Sequence, residues 1–283
     1  MVTCTTVEHT RKLLQSVRKM GKSIGYVPTM GALHEGHLQL IRSSVAGNGF
    51  TTCSIFVNPI QFNNPDDLVK YPRTLEKDKE LLEGAGCDLL FAPPVEEMYP
   101  GGEKPEVNVD FGVLDKVMEG KFRPGHFHGV AVVVKRLFDI IEPGKAYFGK
   151  KDFQQLGVVS HMVHALKLPL EIVPCETVRE SDGLAMSSRN TRLTIAERAI
   201  APYIYKVLKM THEKSGSMPP RELEEWAIRK IGEKPELRVE YFEICNRETL
   251  LPLGDWNEPE GAAACTAVFL GDVRLIDNIE LFS

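Results

Sequence analysis

Two histidines three residues apart, His34 and His37, lie in the segment Pro28-Thr29-Met30-Gly31-Ala32-Leu33-His34-Glu35-Gly36-His37. At a helix start that spacing puts both rings on one face. A helix N-terminus presents unpaired N–H groups and a partial positive charge, so it holds phosphate. Gly31 and Gly36 let the backbone approach a ligand closely, and histidine can donate to negative charge developing on a phosphate. Two surface histidines at a helix-opening turn would look the same in isolation. Their place directly after the apolar run 23–27 favours the phosphate reading. Zinc ranks low, because the pair lacks the i, i+4 spacing of HExxH and no cysteine lies nearby.

Five further segments carry polar groups in suggestive places. Asn58 and Gln61, in Phe56-Val57-Asn58-Pro59-Ile60-Gln61-Phe62, are neutral donor-acceptors that suit a small hydroxy acid. The same residues would serve an ordinary turn, Asn-Pro being a turn dipeptide. Tyr71-Pro72-Arg73-Thr74 and Arg123-Pro124-Gly125-His126-Phe127-His128-Gly129 each place a cation ahead of a helix. Arg123 suits a carboxylate or phosphate, while His126 and His128 read equally well as loop scaffolding. In Gly149-Lys150-Lys151-Asp152, at a strand-to-helix junction, Lys151 can neutralise phosphate oxygens and Asp152 can help hold magnesium or a ribose hydroxyl. Two lysines at a helix start oppose the helix dipole, the kind of local misfit that functional sites show. Gln155 follows on the first helical turn. The last segment runs from Val178 through Met186, Ser187, Ser188, Arg189 and Asn190, a loop of hydroxyls, cations and small residues suited to a mobile phosphate clamp or to a hinge without chemistry. A second HxxH, His161 and His164, lies inside an apolar helix and reads as filler.

The elements that must position these residues alternate. Strands are expected at 23–27, 51–57, 88–92, 146–148 and 170–173, with helices from His34, over 75–82 with Thr74 as N-cap, over 130–141 and over 153–166. Such alternation predicts a parallel sheet with helices on both faces, and ligands then bind outside the carboxyl ends of the strands. The polar segments nearly all follow strand ends. After about Thr177 the texture changes. Thr194 and Glu197 form a capping box for a helix expected to reach Met210, followed by a helix over 221–231 and strands over 238–245, 266–270 and 273–276. The expected fold class is therefore α/β, a Rossmann-like domain over 1–177 with a smaller C-terminal α+β domain over 178–283.

Composition sets the outer bounds. The chain has 283 residues and a net charge of -5, which gives no electrostatic reason to expect nucleic acid. The N-terminus lacks a signal-like apolar stretch, and no run approaches the roughly 20 apolar residues of a membrane span. Six scattered cysteines without a CxxC read as small apolar residues of a reducing cytosol.

Taken in order, PTMGALHEGH, FVNPIQF, YPRT, RPGHFHG, FGKKDFQQL and VRESDGLAMSSRN resemble the pantothenate synthetase (pantoate–β-alanine ligase) family of the HxGH nucleotidyl-transferase superfamily. The likeness spans about residues 24–194, with a weaker echo in Arg274-Leu275-Ile276-Asp277-Asn278. Lys150 departs from it, standing where relatives often carry Glu or Arg. Residues 47–50 and the tail after Met210 give no firm match. The resemblance implies a Rossmann-like domain with a C-terminal lid, a cytoplasmic homodimer, and ATP with Mg2+, pantoate and β-alanine as substrates. It implies that Met30, Gly31, Ala32, Leu33, His34, Glu35, Gly36 and His37 cover ATP, with His34 and His37 on the phosphates. Gly149, Lys150, Lys151, Asp152, Val178, Met186, Ser187, Ser188 and Arg189 would complete the nucleotide site. His34, His37, Lys151, Ser187, Ser188 and Arg189 would be the catalytic donors. Gln61 and Gln155 would bind pantoate, with Asn58 close by, and Gln61 would also meet β-alanine. Tyr71, Asp78, Met98 and Arg123 rank second in the pocket, Asp78 as a magnesium ligand. Two rivals remain at this point: an adenylyltransferase that leaves AMP attached to a phosphate ester, and a non-catalytic nucleotide-binding protein.

Overall fold

The computed structural model describes residues 1–62, 65–102, 105–257 and 261–282. The chain forms two compact units. The first comprises Met1–Phe111, Arg123–Lys150 and Val158–Glu176; the second comprises Gly112–Phe122, Lys151–Gly157 and Thr177–Ser283.

The first unit is built on strands β1 (Val2–Cys4), β2 (Ile24–Thr29), β3 (Phe50–Ile55), β4 (Leu89–Phe91), β5 (Lys145–Gly149) and β6 (Glu171–Cys175). All pair in parallel, in the order β1-β4-β3-β2-β5-β6. Its helices include α1 (Val7–Lys19), α2 (Glu35–Gly47), α3 (Pro65–Lys70), α4 (Leu75–Gly84) and α5 (Val95–Met98), and the helix over His126–Ile141 also belongs to it. The fold class expected from sequence is the one observed. The expected strands and helices recur with ends shifted by a few residues. The N-terminal β1 and α1 were not anticipated from sequence. Helix α1 is nonetheless well specified locally: the Thr6 hydroxyl caps it by accepting from the His9 N–H, with Glu8 in the first turn and Arg18 and Lys19 in the last.

Alternate residues of each strand serve opposite faces. Val27, Cys53, Leu90 and Tyr147 form one apolar cluster with Leu40 and Ile41 of α2 and Leu82 of α4. Tyr26 faces the other side, where its ring meets Phe138 edge-on at 6.2 Å, and Phe138 in turn meets Phe148 at 6.4 Å. Phe138 belongs to a helix over His126–Ile141, which starts four residues earlier than its apolar run suggests. Strand order reverses between β2 and β5, the crevice position where doubly wound sheets bind ligands.

The second unit contains α6 (Met118–Phe122), preceding α7 (His126–Ile141) in the chain, and the first turn of α8 (Phe153–Ala165). It continues with α9 (Ile195–Ile200), α10 (Tyr203–Lys214) and α11 (Pro220–Ile231). Its antiparallel sheet runs β7 (Leu237–Asn246), β8 (Ala262–Leu270) and β9 (Val273–Phe282) in that order. The Thr194–Glu197 capping box is present, but the single helix expected to Met210 breaks into α9 and α10 at Ala201-Pro202. Proline lacks the N–H an uninterrupted helix needs there. Leu208, Leu223, Phe242, Ile244, Val268 and Leu275 are among the residues of its buried core. A buried ion network ties α6 to this sheet: Arg274 donates to both Glu119 and Glu240, and the Tyr241 hydroxyl donates to Glu119 at 2.9 Å. Gln154 holds the same segment through the N–H of Glu119 and the carbonyls of Leu114 and Val117.

Candidate active site

The loop after β2 ends where α2 begins, and His34 is the N-cap of that helix. The His34 backbone N–H donates to His37 Nδ1 at 3.3 Å, and the two rings lie 4.1 Å apart between centroids. An Nδ1 that accepts leaves the proton of a neutral imidazole on Nε2, so His37 offers a donor from its outer nitrogen. Both rings share one face at the helix start, as their spacing predicts. Glu35 is different: its carboxylate pairs with Arg42 on the exposed flank of the helix, and that hydrogen bond is the main influence holding it below the usual range. Glu35 can therefore serve a phosphate only through its N–H.

The loop itself is anchored from α4. Gly31 and Ala32 adopt positive φ, 82° and 51°. The Ala32 and Leu33 N–H groups donate to Asp78 Oδ2 and Oδ1 at 3.0 and 2.8 Å. The Thr74 hydroxyl lies 3.2 Å from both carboxylate oxygens. Thr74 occupies the N-cap position expected from sequence, yet its hydroxyl serves Asp78 in place of a helix N–H. Asp78 is 1% exposed.

The turn after β3 is a 3-10 helix over Pro59–Gln61. Asn58 is fully buried, and its amide is saturated. Its Nδ2 donates to Gln61 Oε1 and to the Gly129 carbonyl, both at 3.1 Å. Its Oδ1 accepts from the Ile60 N–H and from the Tyr99 hydroxyl. Asn58 thus holds Gln61 and has no capacity left for a ligand. Gln61, 8% exposed, points its Nε2 at the Met30 sulfur, 2.9 Å away. His126 Nδ1 lies 2.8 Å from the Gln61 carbonyl oxygen. A Cβ on Gly129 would stand 2.8 Å from the Ile60 oxygen and 2.9 Å from Gln61 Cα, so only glycine lets α7 come this close. Of the two loop histidines weighed from sequence, His126 is buried scaffold and His128 is exposed. Tyr71 is buried and meets Phe62 edge-on, Met98 is fully buried, and the Arg123 carbonyl accepts from the His126 N–H.

At the end of β5, Gly149 and Lys150 stand at the same carboxyl edge as the β2 loop, since β5 pairs with β2. Lys150 is engaged with Glu176 in an ion pair. His161 donates from Nε2 to the Asp110 carbonyl at 2.9 Å, in keeping with a packing role.

The second unit gathers its own candidates around β9. The Asn278 side chain donates to the Lys151 carbonyl at 2.9 Å. Arg179 forms two hydrogen bonds with Asp277, at 2.7 and 2.9 Å, donates to the Asn278 carbonyl, and stacks 3.5 Å over Tyr205. Burial pushes the Asp277 carboxyl up, and the Arg179 guanidinium pulls against it. Val178 and Met186 pair across a short hairpin through the Met186 N–H. Ser187 then caps a 3-10 turn over Ser188–Arg192 by accepting from the Arg189 N–H. The Lys151–Asp152 turn and the 178–189 loop are therefore both tied to Asp277-Asn278, which accounts for the late sequence echo. Gln155 is half-buried on the first turn of α8. Sequence reading missed Gly129, Tyr99, Arg179 and Asp277 as organisers. Their partners are distant in the chain, so although Gly129, Arg179 and Asp277 lie in segments quoted from sequence, nothing local shows what each one holds.

A family model described as pantoate-beta-alanine ligase matches residues 2–280. A curated relative, the pantothenate synthetase of Porphyromonas gingivalis, is 48% identical over 276 residues, covering 97% of each chain. The crystal structure of pantothenate synthetase from Thermus thermophilus is 46% identical, covers 100% of both chains and superposes with a TM-score of 0.93. A pantoate-beta-alanine ligase from Francisella tularensis, solved with beta-gamma ATP and β-alanine, is 33% identical with a TM-score of 0.82, covering 99% of this chain and 98% of that one.

Proposed function

The chain belongs to the pantoate–β-alanine ligase family, and from that premise we propose how its residues make pantothenate from pantoate, β-alanine and ATP. A pantoate carboxylate oxygen attacks the α-phosphorus of ATP, the bond to the β-phosphate oxygen breaks, and pyrophosphate leaves. The neutral amine of β-alanine then attacks the acyl carbon of the pantoyl-adenylate. AMP departs with the carboxylate oxygen, and the amine loses a proton.

One observation carries this reading: the Gln61 amide touches Met30, the first residue of the histidine-bearing loop. The turn that suits a hydroxy acid thus abuts the loop that suits a triphosphate, at the sheet edge where such folds bind ligands. A thioether sulfur is a weak acceptor, so a pantoate oxygen would take the Gln61 donor from it readily. Asn58 serves pantoate indirectly, through Gln61. Gln155 remains the second pantoate contact, and Gln61 the residue that β-alanine meets.

The pantoate carboxylate is ionised at neutral pH and needs no general base. The enzyme's task is to neutralise charge growing on the phosphates, where a single well-placed donor is worth on the order of 100- to 1,000-fold in rate. Residues 30–37 would supply helix N–H groups and the His34 and His37 donors. Gly149, Lys150, Lys151, Asp152, Val178, Met186, Ser187, Ser188 and Arg189 are assigned to the same nucleotide, with Lys151 and Arg189 as its cations. The second step needs positioning and the exclusion of water from a hydrolysable mixed anhydride. We assign the water-excluding role to a C-terminal lid over 178–283, with 1–177 as the ATP- and pantoate-binding domain. Magnesium enters as the counter-ion of ATP. Asp78, which the resemblance offered as its ligand, is 1% exposed and turns its oxygens toward the Ala32 and Leu33 N–H groups and the Thr74 hydroxyl, so we assign it to holding the loop in place of the ion. The six free, buried cysteines accord with a cytoplasmic setting, and the family likeness supports a homodimer.

Product analysis tests the reaction. Pantothenate, AMP and pyrophosphate in equal amounts are expected from ATP, pantoate and β-alanine; AMP retained on the acceptor would overturn the ligase reading.

A further inference from the structure

We propose that Asp78 is a positioning residue that holds the nucleotide-facing loop in a strained left-handed turn, acting through the Ala32 and Leu33 N–H groups. Gly31 and Ala32 are consecutive residues at positive φ. Glycine adopts that region freely, but alanine is disfavoured there and lacks the short polar side chain with which Asn or Asp compensates. The conformation of Ala32 must therefore be imposed from outside. Successive N–H groups in such a turn form a concavity that attracts anions. Here the protein fills it with its own carboxylate, reached across 45 residues of sequence.

The fit is close. A Cβ at Gly31 would stand 3.2 Å from Asp78 Oδ2 and 3.1 Å from Ile55 Cγ2, so the absence of a side chain admits the carboxylate. Among the described residues the partners of Asp78 are neutral donors, two N–H groups and the Thr74 hydroxyl. A buried carboxylate without its donors would be costly, so Asp78 and the turn stabilise each other. Two functional groups depend on that turn. Met30 precedes it and meets Gln61, and His34 follows it as the N-cap of α2. A change at Asp78 thus displaces both the acid-binding amide and the histidine pair without touching either.

The inference rests on residues 30–37 being the nucleotide loop, and the test separates the two claims. Adenylate formation is followed in a single turnover without β-alanine in wild type and in Asp78→Asn, Ala32→Gly, the double variant and His37→Ala. Asp78→Asn keeps the shape but replaces one acceptor oxygen by a donor, so adenylation should fall roughly tenfold or more. Ala32→Gly removes the penalty on positive φ, so in the Asp78→Asn background it should restore a large part of that loss. A role confined to packing of α4 would not respond to a glycine at position 32. The inference is overturned if Asp78→Asn adenylates at the wild-type rate, or if Ala32→Gly gives no rescue. It is equally overturned if excess magnesium alone restores the variant, which would mark Asp78 as a metal ligand. Should Asp78→Asn fail to fold, Thr74→Val with and without Ala32→Gly carries the same comparison. A wild-type adenylation rate in His37→Ala would instead refute the nucleotide-loop reading, whatever the Asp78 series shows.

Discussion

Gln61 Nε2 lies 2.9 Å from the sulfur of Met30, a polar donor held against a weak acceptor. The amide cannot turn away, because Asn58 grips its oxygen at 3.1 Å and His126 lies 2.8 Å from its backbone carbonyl. A hydrogen bond to a charged group is worth about 1.5–3 kcal/mol. Gln61→Ala should therefore raise the pantoate KM by roughly 10- to 150-fold while leaving ATP affinity nearly intact. Calorimetry with each ligand separately checks this; equal losses for both would remove Gln61 from the pantoate site.

Gly129→Ala should produce a milder version of the same defect from the far side of the turn. Alanine favours a helix, but its Cβ would press on the Ile60 oxygen and Gln61 Cα at 2.8 and 2.9 Å. Overpacking of this kind costs about 1–3 kcal/mol. We expect a lower melting temperature together with a raised pantoate KM, and a variant unchanged in both would show that α7 can shift without moving Gln61.

His37→Ala removes the outer ring donor and the acceptor of the His34 N–H together. Adenylation should slow by on the order of 100- to 1,000-fold, with a modest drop in melting temperature because a helix-capping hydrogen bond worth about 1 kcal/mol is lost. Rapid-quench measurement of pantoyl-adenylate at saturating ATP gives the comparison, and a rate near wild type would assign the charge stabilisation elsewhere.

Acid should weaken the hairpin around Gly183. The Arg198 guanidinium, hydrogen-bonded to Asp182 at 2.6 Å, is the main cause holding that carboxyl below its ordinary 3.8. A depressed carboxylate contributes stability above its unfolded value and loses it as pH falls through the folded one. Side-chain exposures of 31% and 41% leave the pair screened by solvent, so its worth is under about 1 kcal/mol. Asp182→Asn should melt roughly 1–3 °C below wild type at neutral pH, and the gap should close well below pH 3.8. Thermal scans across that range decide it; a gap independent of pH would trace the effect to the Leu184 N–H contact instead.

Local signals made much of this molecule legible before its structure. The apolar run ending at Val27, the glycine at 31 and the histidine spacing placed the end of β2 within two residues and the start of α2 within one. Asn58-Pro59 marked a turn, and the Thr194–Glu197 box marked a helix start. What stayed hidden was set by contacts distant in sequence. Nothing near Asp78 announces that its carboxylate reaches Ala32, and nothing near Gly129 announces the approach of Gln61. Asn58 looked like a ligand contact because its type suits one, whereas burial and four hydrogen bonds make it a brace. The break between α9 and α10 falls at Pro202, which the expectation of a single helix to Met210 does not take into account.

Exchange of labelled pyrophosphate into ATP, measured without β-alanine, addresses adenylate formation by itself. The reaction proposed here requires exchange that depends on added pantoate, needs far more pantoate in Gln61→Ala, and slows by on the order of 100-fold or more in His37→Ala. Exchange that proceeds without pantoate, or none at all in an enzyme that still makes pantothenate, would contradict it.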